Sequence, residues 1–416
     1  MATWRGLRVA FVLGSLFMVM LIIAYWDDVS GPNIHPFQDL KHKSLPSGWR
    51  AQSTTVSPPS LSTVQVQASA SFTGYSTTEF IPEQTPEKLA GEEQIKKGGE
   101  KRWTAEEREQ EARKQRIIDV CSGKEGLEFP GRTRAFEQIP FRELDHLIVD
   151  DTHQIIYCYV PKVACTNWKR IMVVLSQSLI SPITGKPYTD PQSVPADLVH
   201  NSSLHFTFAK FWRHYGSLSR HLMALKLQHY TKFLFVRDPF VRLISAFRNK
   251  FERPNEDFYR QFGSVMLRRY GNVTGSLAET AAEAFAAGIT PTFHQFITYL
   301  LDPETERESI FNEHWRQVYR LCHPCQVKYD FIGRLEDLET DSEQLLKLLK
   351  VDHLLRFPSG PRNRTAASWE RDWFAEIPIT ERRELYRLYE PDFELFSYPI
   401  PDSVLHQLQT TSSQTP

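Results

Sequence analysis

Two stretches of the chain share one pattern of hydrophobic and polar positions. Each is a short apolar run, then a break, then apolar residues at helical spacing. In the first, Ile155-Ile156-Tyr157-Cys158-Tyr159-Val160 ends at Pro161 and a short loop carries Lys162. Trp168, Ile171, Met172, Leu175 and Leu179 then follow the helical period, with Thr166 or Asn167 placed to cap the helix. In the second, Phe233 to Val236 is continuously apolar, as in a strand buried on both faces of a parallel sheet. Arg237 and Asp238 stand at its C-terminal end, and Pro239 breaks the strand. Phe240, Leu243, Ile244, Phe247 and Phe251 then form an amphipathic helix, with Arg242, Ser245 and Arg248 pointing away from the apolar stripe. A strand that feeds a loop and then a helix aims unpaired backbone N–H groups and the positive helix end at one point, which suits a phosphate-like or sulfate-like anion. In an α/β sheet such ligands lie outside the carboxyl ends of the strands. Lys162 and Arg237 could therefore hold two separated anionic groups of one ligand. The plain alternatives are a surface lysine and a local Arg237–Asp238 ion pair.

The same pattern divides the rest of the chain. Val9 to Trp26 is apolar and uncharged, and at ~1.5 Å per residue it just crosses a hydrocarbon layer of ~30 Å. Arg5 and Arg8 precede it and Asp27 and Asp28 follow, which predicts a cytosolic tail at 1–8 and the remainder across the membrane. A cleaved signal peptide is the alternative, but no A-x-A-like site follows. Residues 27–115 read as a disordered stem, rich in Ser, Thr, Pro and Gln over 44–86 and dense in charge over 87–115, a part that also suits a solvated helix. From 116 to 401 the composition is globular, and 402–416 is a loose polar tail. Tyr329 to Gly333 predicts another buried strand, 341–350 a helix, and Thr380 to Tyr389 a helix ended by Pro391. This alternation predicts an α/β domain with a mainly parallel sheet flanked by helices.

Charge sharpens the picture around the two motifs. The 416 residues carry a net charge of −1, which shows no global polyanion-binding character and implies no nucleic-acid partner. From Pro161 to Lys250, however, there are 13 Lys or Arg against 3 Asp or Glu, a basic segment that points to an anionic ligand. Five cysteines, at 121, 158, 165, 322 and 325, are too few for a disulfide scaffold. Cys322-x-x-Cys325 reads as a structural disulfide or half of two. A redox motif would need a helix opening at its first cysteine, and zinc would need further ligands, so no metal is implied. Asn201, Asn272 and Asn363 each open a glycosylation sequon.

No glycine lies between 160 and 170, and no Gly-Lys-Ser/Thr follows, so the first motif is not a Walker loop. Tyr-Val-Pro-Lys-Val-Ala-Cys-Thr-Asn-Trp-Lys-Arg (159–170), with Phe-Val-Arg-Asp-Pro-Phe-Val-Arg-Leu-Ile-Ser-Ala-Phe (235–247), closely resembles the cofactor motifs of Golgi carbohydrate sulfotransferases. The nearest resemblance is to the chondroitin/dermatan 4-O-sulfotransferase group. The stretches 146–151, 311–322 and 329–336 look like the same group. The resemblance implies a P-loop-like sulfotransferase domain, a glycosaminoglycan acceptor, a single-pass type II Golgi membrane protein, and 3′-phosphoadenosine 5′-phosphosulfate as donor. Pro161, Lys162, Val163, Ala164, Cys165, Thr166 and Asn167 match the 5′-phosphosulfate loop. Arg237, Asp238, Pro239, Phe240, Val241, Arg242, Leu243, Ile244 and Ser245 match the 3′-phosphate motif, with Arg237 and Ser245 as the expected contacts.

Sulfuryl transfer needs positioning, charge stabilisation and a general base for the sugar hydroxyl. Lys162 can neutralise the leaving phosphate. His205, in Ser-Leu-His-Phe-Thr-Phe, is the first candidate base, and its context looks like the catalytic histidine region of uronyl 2-O-sulfotransferases. His200, His314 and His323 are alternatives. Lys210, Arg213, Arg220, Arg248 and Lys250 form a candidate polymer-binding patch. A Golgi glycosyltransferase would share the anchor and stem, but the chain has no D-x-D pair.

Overall fold

A computed structural model describes residues 103–124, 126–271, 273, 275–358 and 366–406. The expected anchor at 9–26, the stem up to 102, and the sequon asparagines Asn272 and Asn363 lie outside the described residues. Among the described residues, no helix is long and apolar enough to cross a membrane.

The elements that position the site are helix α1 (Ala105–Cys121), strands β1 (Leu147–Asp150) and β2 (Ile155–Cys158), helix α2 (Cys165–Ser176), strand β3 (Thr231–Val236), helix α3 (Pro239–Lys250), helix α4 (Val318–Cys322), strand β4 (Phe331–Arg334), and helices α5 (Leu338–Leu348) and α6 (Ile379–Leu395). The four strands form one sheet in the order β1-β2-β3-β4. β2, β3 and β4 are parallel, with Tyr157 opposite Phe233 and Phe233 opposite Phe331, while β1 joins β2 as an antiparallel edge. The sheet is therefore mixed rather than purely parallel. The apolar run Phe233–Val236 is fully buried, as its composition requires. At Gly333 a Cβ would lie 2.2 Å from the Phe235 ring, so only glycine lets β4 approach β3 here.

Both sheet edges are covered. At β4, the Gln110 amide accepts from Ile332 N–H (3.0 Å) and donates to its carbonyl (3.1 Å), mimicking a neighbouring strand. Arg113, buried, donates to the same carbonyl and to Asp341 at 2.7 Å. At β1, Val149 N–H donates to Phe206 O (2.7 Å), which fixes the segment that carries His205 to the sheet.

Helix α1 corrects the expected boundary at 115/116. It opens at Ala105, with Thr104 and Glu107 forming a capping box, and its far side packs on β4 and α6. The charge-dense stretch 87–115 suited a solvated helix, but the helix found there is held by tertiary contacts. At the other end, Asp402–Leu405 is helical, with Ser403 and Val404 buried and Ser403 O bonded by Arg382, so the fold continues past 401. Helix α6 also runs through Pro391 to Leu395 instead of ending there. The reason is tertiary. The buried Asp392 carboxylate accepts from Val318 and Tyr319 N–H (2.6 and 2.9 Å), capping α4, and those bonds hold the turn that proline weakens.

Cys322 and Cys325 each supply half of a separate disulfide, Cys158–Cys322 and Cys121–Cys325, leaving Cys165 unpaired. The first ties β2 to α4 and the second ties the end of α1 to the loop after α4. Replacing Cys158 and Cys322 together with alanine is expected to cost about 2–5 kcal/mol in denaturant unfolding, because the bridge closes a long loop. An unchanged midpoint would refute a stabilising role.

Candidate active site

Because β2 and β3 are parallel neighbours, their C-terminal ends leave the sheet on the same side. The chain after β2 becomes the Pro161–Ala164 loop, and the chain after β3 becomes Arg237-Asp238. Between and above them is a cleft of about 890 Å³. Its walls carry Lys162, Lys169, Lys210, Arg213, Arg237 and Lys250 against the carboxylates of Asp145 and Glu313, so it is strongly cationic. Six of the 13 basic residues of the segment 161–250 thus meet at one place.

The loop turns without glycine by placing two other residues in the left-handed region, Lys162 at φ 73° and Ala164 at φ 52°. Such backbone costs about 1–2 kcal/mol per residue and persists only where its surroundings enforce it. Arg237 Nη1 donates to Lys162 O (3.3 Å) and Arg242 Nε to Pro161 O (3.3 Å). Arg242 also donates to Glu313 O (3.1 Å) and Arg316 O (2.7 Å). Helix α2 begins at Cys165, with Ala164 as its cap residue and no side-chain cap bond. The expected cap at Thr166 or Asn167 is therefore displaced. Thr166 Oγ instead pairs with His200 Nε2 (3.0 Å), and Asn167 donates to Pro358 O (3.4 Å).

The sequence-predicted residues separate into wall and frame. Pro161, Lys162, Ala164, Cys165, Thr166, Asn167, Arg237, Ser245 and His205 line the cleft. Val163 is buried beneath the loop. Asp238 caps α3 by accepting from Val241 N–H (2.9 Å), and burial raises its carboxyl to about 6. Pro239 is the first residue of α3, Val241 is buried, and Phe240, Leu243 and Ile244 lie in a core where Phe240 stacks on Phe374 at 4.6 Å. Arg242, expected on a polar face, is fully buried and braces the loop from behind. The helix wheel misplaced it because α3 is enclosed on that side by the Pro161 loop and the 313–316 segment. Of the candidate polymer patch, Lys210, Arg213 and Lys250 face the cleft. Arg220 bonds Phe136 O and Ile139 O, and Arg248 pairs with Glu252. Asn201, exposed, lies between two cleft residues, His200 and Ser202.

Burial sets the electrostatics. Lys162 is lowered to about 8, first by desolvation and then by Lys250 and Arg237. Neither Lys162 nor Arg237 has an ion-pair partner within reach among the described residues, so both cations are available to a ligand. His205 Nε2 lies 2.7 Å from Val199 O. A carbonyl only accepts, so Nε2 carries the proton and Nδ1 is the basic atom. Burial lowers this histidine to about 4. In His314, Nδ1 bonds Asn312 Oδ1 (2.7 Å), which also accepts the His314 backbone N–H (3.1 Å), so Nε2 is basic there. Burial and the nearby lysines lower it to about 2. His323 is buried against Glu143 O at 3.0 Å, away from the cleft.

Sequence reasoning missed Asp145 and Asn249 on the wall, and it gave no site role to Tyr159, Lys169 and Glu313 although they lie within the quoted motif stretches. Lys169 and Asn249 had a signal, since each lies one helical turn beyond a predicted site residue, Cys165 and Ser245. Asp145 is brought in by the fold alone, and Glu313 had only its place in the stretch 311–322. Among the described residues, no cluster of His, Cys, Asp and Glu could hold a metal.

A glycine-free loop with a lysine and a neighbouring strand end with an arginine lie side by side in a cationic cleft of an α/β fold, an arrangement that suits a ligand with two separated anionic groups. Residues 145–399 match the sulfotransferase family, and the chain belongs to that family as a carbohydrate sulfotransferase. It is 50% identical to carbohydrate sulfotransferase 12 of Mus musculus over 419 residues, covering 96% of this chain and 99% of the relative. Identity to the Xenopus laevis protein of the same name is also 50%, over 423 residues, covering 97% and 100%. Carbohydrate sulfotransferase 11 of Rattus norvegicus is 39% identical over 292 residues, covering 70% and 76%. No solved structure matches the chain. The family resemblance drawn from the two motifs is thereby borne out.

Proposed function

We propose that this enzyme transfers the sulfuryl group of 3′-phosphoadenosine 5′-phosphosulfate to the 4-hydroxyl of N-acetylgalactosamine in chondroitin and in desulfated dermatan. The observation that carries the reading is the pairing of the Pro161–Asn167 loop with Arg237 and Ser245 in one cleft. Family membership supports the donor, and the motif resemblance supports the acceptor. A cationic wall suits an acidic polymer. Two disulfides support an oxidising compartment, consistent with a Golgi lumenal domain anchored through 9–26 and glycosylated at Asn201, Asn272 and Asn363.

The loop N–H groups and Lys162 hold the 5′-phosphosulfate, while Arg237 and Ser245 hold the 3′-phosphate. His205 Nδ1 accepts the proton of the attacking hydroxyl. The new S–O bond forms as the bridging S–O bond breaks, and the bisphosphate leaves with that electron pair, its charge met by Lys162. His205 is preferred to His314 because its basicity is the less depressed, and a base works best near the operating pH. The bound donor's negative charge raises both.

Donor binding should depend on pH with a definite sign. Lys162 is charged below about 8 and loses its charge above it. Affinity for adenosine 3′,5′-bisphosphate, measured by calorimetry, is expected to be about tenfold weaker at pH 9 than at pH 7. Lys162→Arg should flatten that dependence. A wild-type affinity that does not change over this range contradicts the role of Lys162. For the acceptor, labelled sulfate should enter desulfated chondroitin and dermatan but not a glucosamine-based polymer; the opposite preference would overturn the acceptor assignment.

A further inference from the structure

Lys169 has no part in the donor site described above, yet its environment is unusual for a lysine. It lies four residues beyond Cys165 on α2, about 6 Å further along the helix axis. Its residue surface is only 7% exposed, and its side chain lines the cleft. Among the described residues it makes no hydrogen bond and no ion pair. Its ammonium lies over the face of Tyr159, with Nζ 3.5 Å from the ring centroid.

That ring is itself fixed. His146 stacks on Tyr159 at 4.2 Å, and His146 Nδ1 donates to Tyr159 O at 2.8 Å. The Tyr159 hydroxyl donates to Glu313 at 3.3 Å. Lys169 is thus held on a rigid platform, with its ammonium desolvated and no carboxylate in ion-pair range. Burying an unpaired cation is unfavourable, and a cation–π contact offsets only part of the cost. No carboxylate pairs with it directly, although Glu313 and Asp145 lie near enough to act on its charge, so the ammonium is still open to an anion that enters from the cleft.

Two anions could supply the charge, the sulfuryl end of the donor or a carboxylate of the acceptor. The donor groups are met by Lys162 and Arg237, which are joined through the Lys162 carbonyl. Lys169 stands beyond Cys165, beside Tyr159, Asp145 and Glu313. These neighbours present hydroxyl and carboxylate groups that suit sugar hydroxyls. We infer that Lys169 binds the carboxylate of the uronate adjoining the reacting hexosamine, and so selects an acidic acceptor chain. The inference rests on the acceptor reading given above.

The test uses the full chain and two changes that remove the same contact from opposite sides. Lys169→Met deletes the charge while keeping the apolar stem over Tyr159. Carboxyl-reduced chondroitin deletes the uronate charge. With the wild type, carboxyl reduction is expected to raise acceptor KM about tenfold or more, since a buried charge-assisted bond is lost. With Lys169→Met, KM for ordinary chondroitin should rise by the same factor, carboxyl reduction should add nothing, and donor KM should stay within about twofold. Bisphosphate binding by the variant confirms that it is folded. A tenfold change in donor KM with acceptor KM unmoved would assign the anion to the donor and overturn the inference. Penalties that multiply would overturn it as well, while leaving the acceptor reading intact. No transfer to chondroitin by the wild type would overturn both.

Discussion

Lys162→Ala is expected to lower turnover by about 10²–10³-fold while the protein stays folded, because it removes one preorganised positive charge from the leaving group. The structure explains why the loop should survive. Arg237 and Arg242 grip the loop through the carbonyls of Lys162 and Pro161, not through the lysine side chain. The ammonium is half-buried and unpaired, so its loss removes an electrostatic cost as well as a ligand contact. Single-turnover rates with saturating donor, set beside thermal unfolding, separate the two effects. Wild-type turnover in the variant would remove Lys162 from the chemistry.

The second large effect is expected at His205. Alanine there would also strip the buried bond to Val199 O, so His205→Gln is the better variant, since its amide can still donate to that carbonyl. Loss of the basic nitrogen should reduce turnover by about 10²–10⁴-fold with bisphosphate affinity kept. His314→Gln, at the more strongly depressed histidine, should cost less. Reversal of that order would move the base to His314 Nε2.

Much of this site could be read in the sequence because its two halves are local. Each combines a buried apolar strand, a break and an amphipathic helix, and the period of apolar residues locates all three. Parallel pairing of β2 with β3 then brings Lys162 and Arg237 together, which follows once an α/β sheet is expected. The features that escaped depend on contacts between distant segments. Arg242 sits on the polar side of its own helix but is enclosed by the Pro161 loop and residues 313–316. Pro391 ends a helix in isolation but not when Asp392 caps α4. The charge over 87–115 suited a solvated stem, whereas in the fold Thr104 and Glu107 cap α1 and Gln110 and Arg113 meet the edge of β4. The disulfide partners of Cys322 and Cys325 are separated by long stretches of chain and had no local signature. The absence of glycine from the loop, which argued against a triphosphate site, appears in the fold as left-handed backbone at Lys162 and Ala164.

The most direct test is transfer of labelled sulfate by the purified full chain from 3′-phosphoadenosine 5′-phosphosulfate to desulfated chondroitin, followed by lyase digestion and disaccharide analysis. The expected product is the disaccharide sulfated at the 4-position of N-acetylgalactosamine, formed by the wild type and almost absent with Lys162→Ala. Label at another position, or none in any glycan, would contradict it.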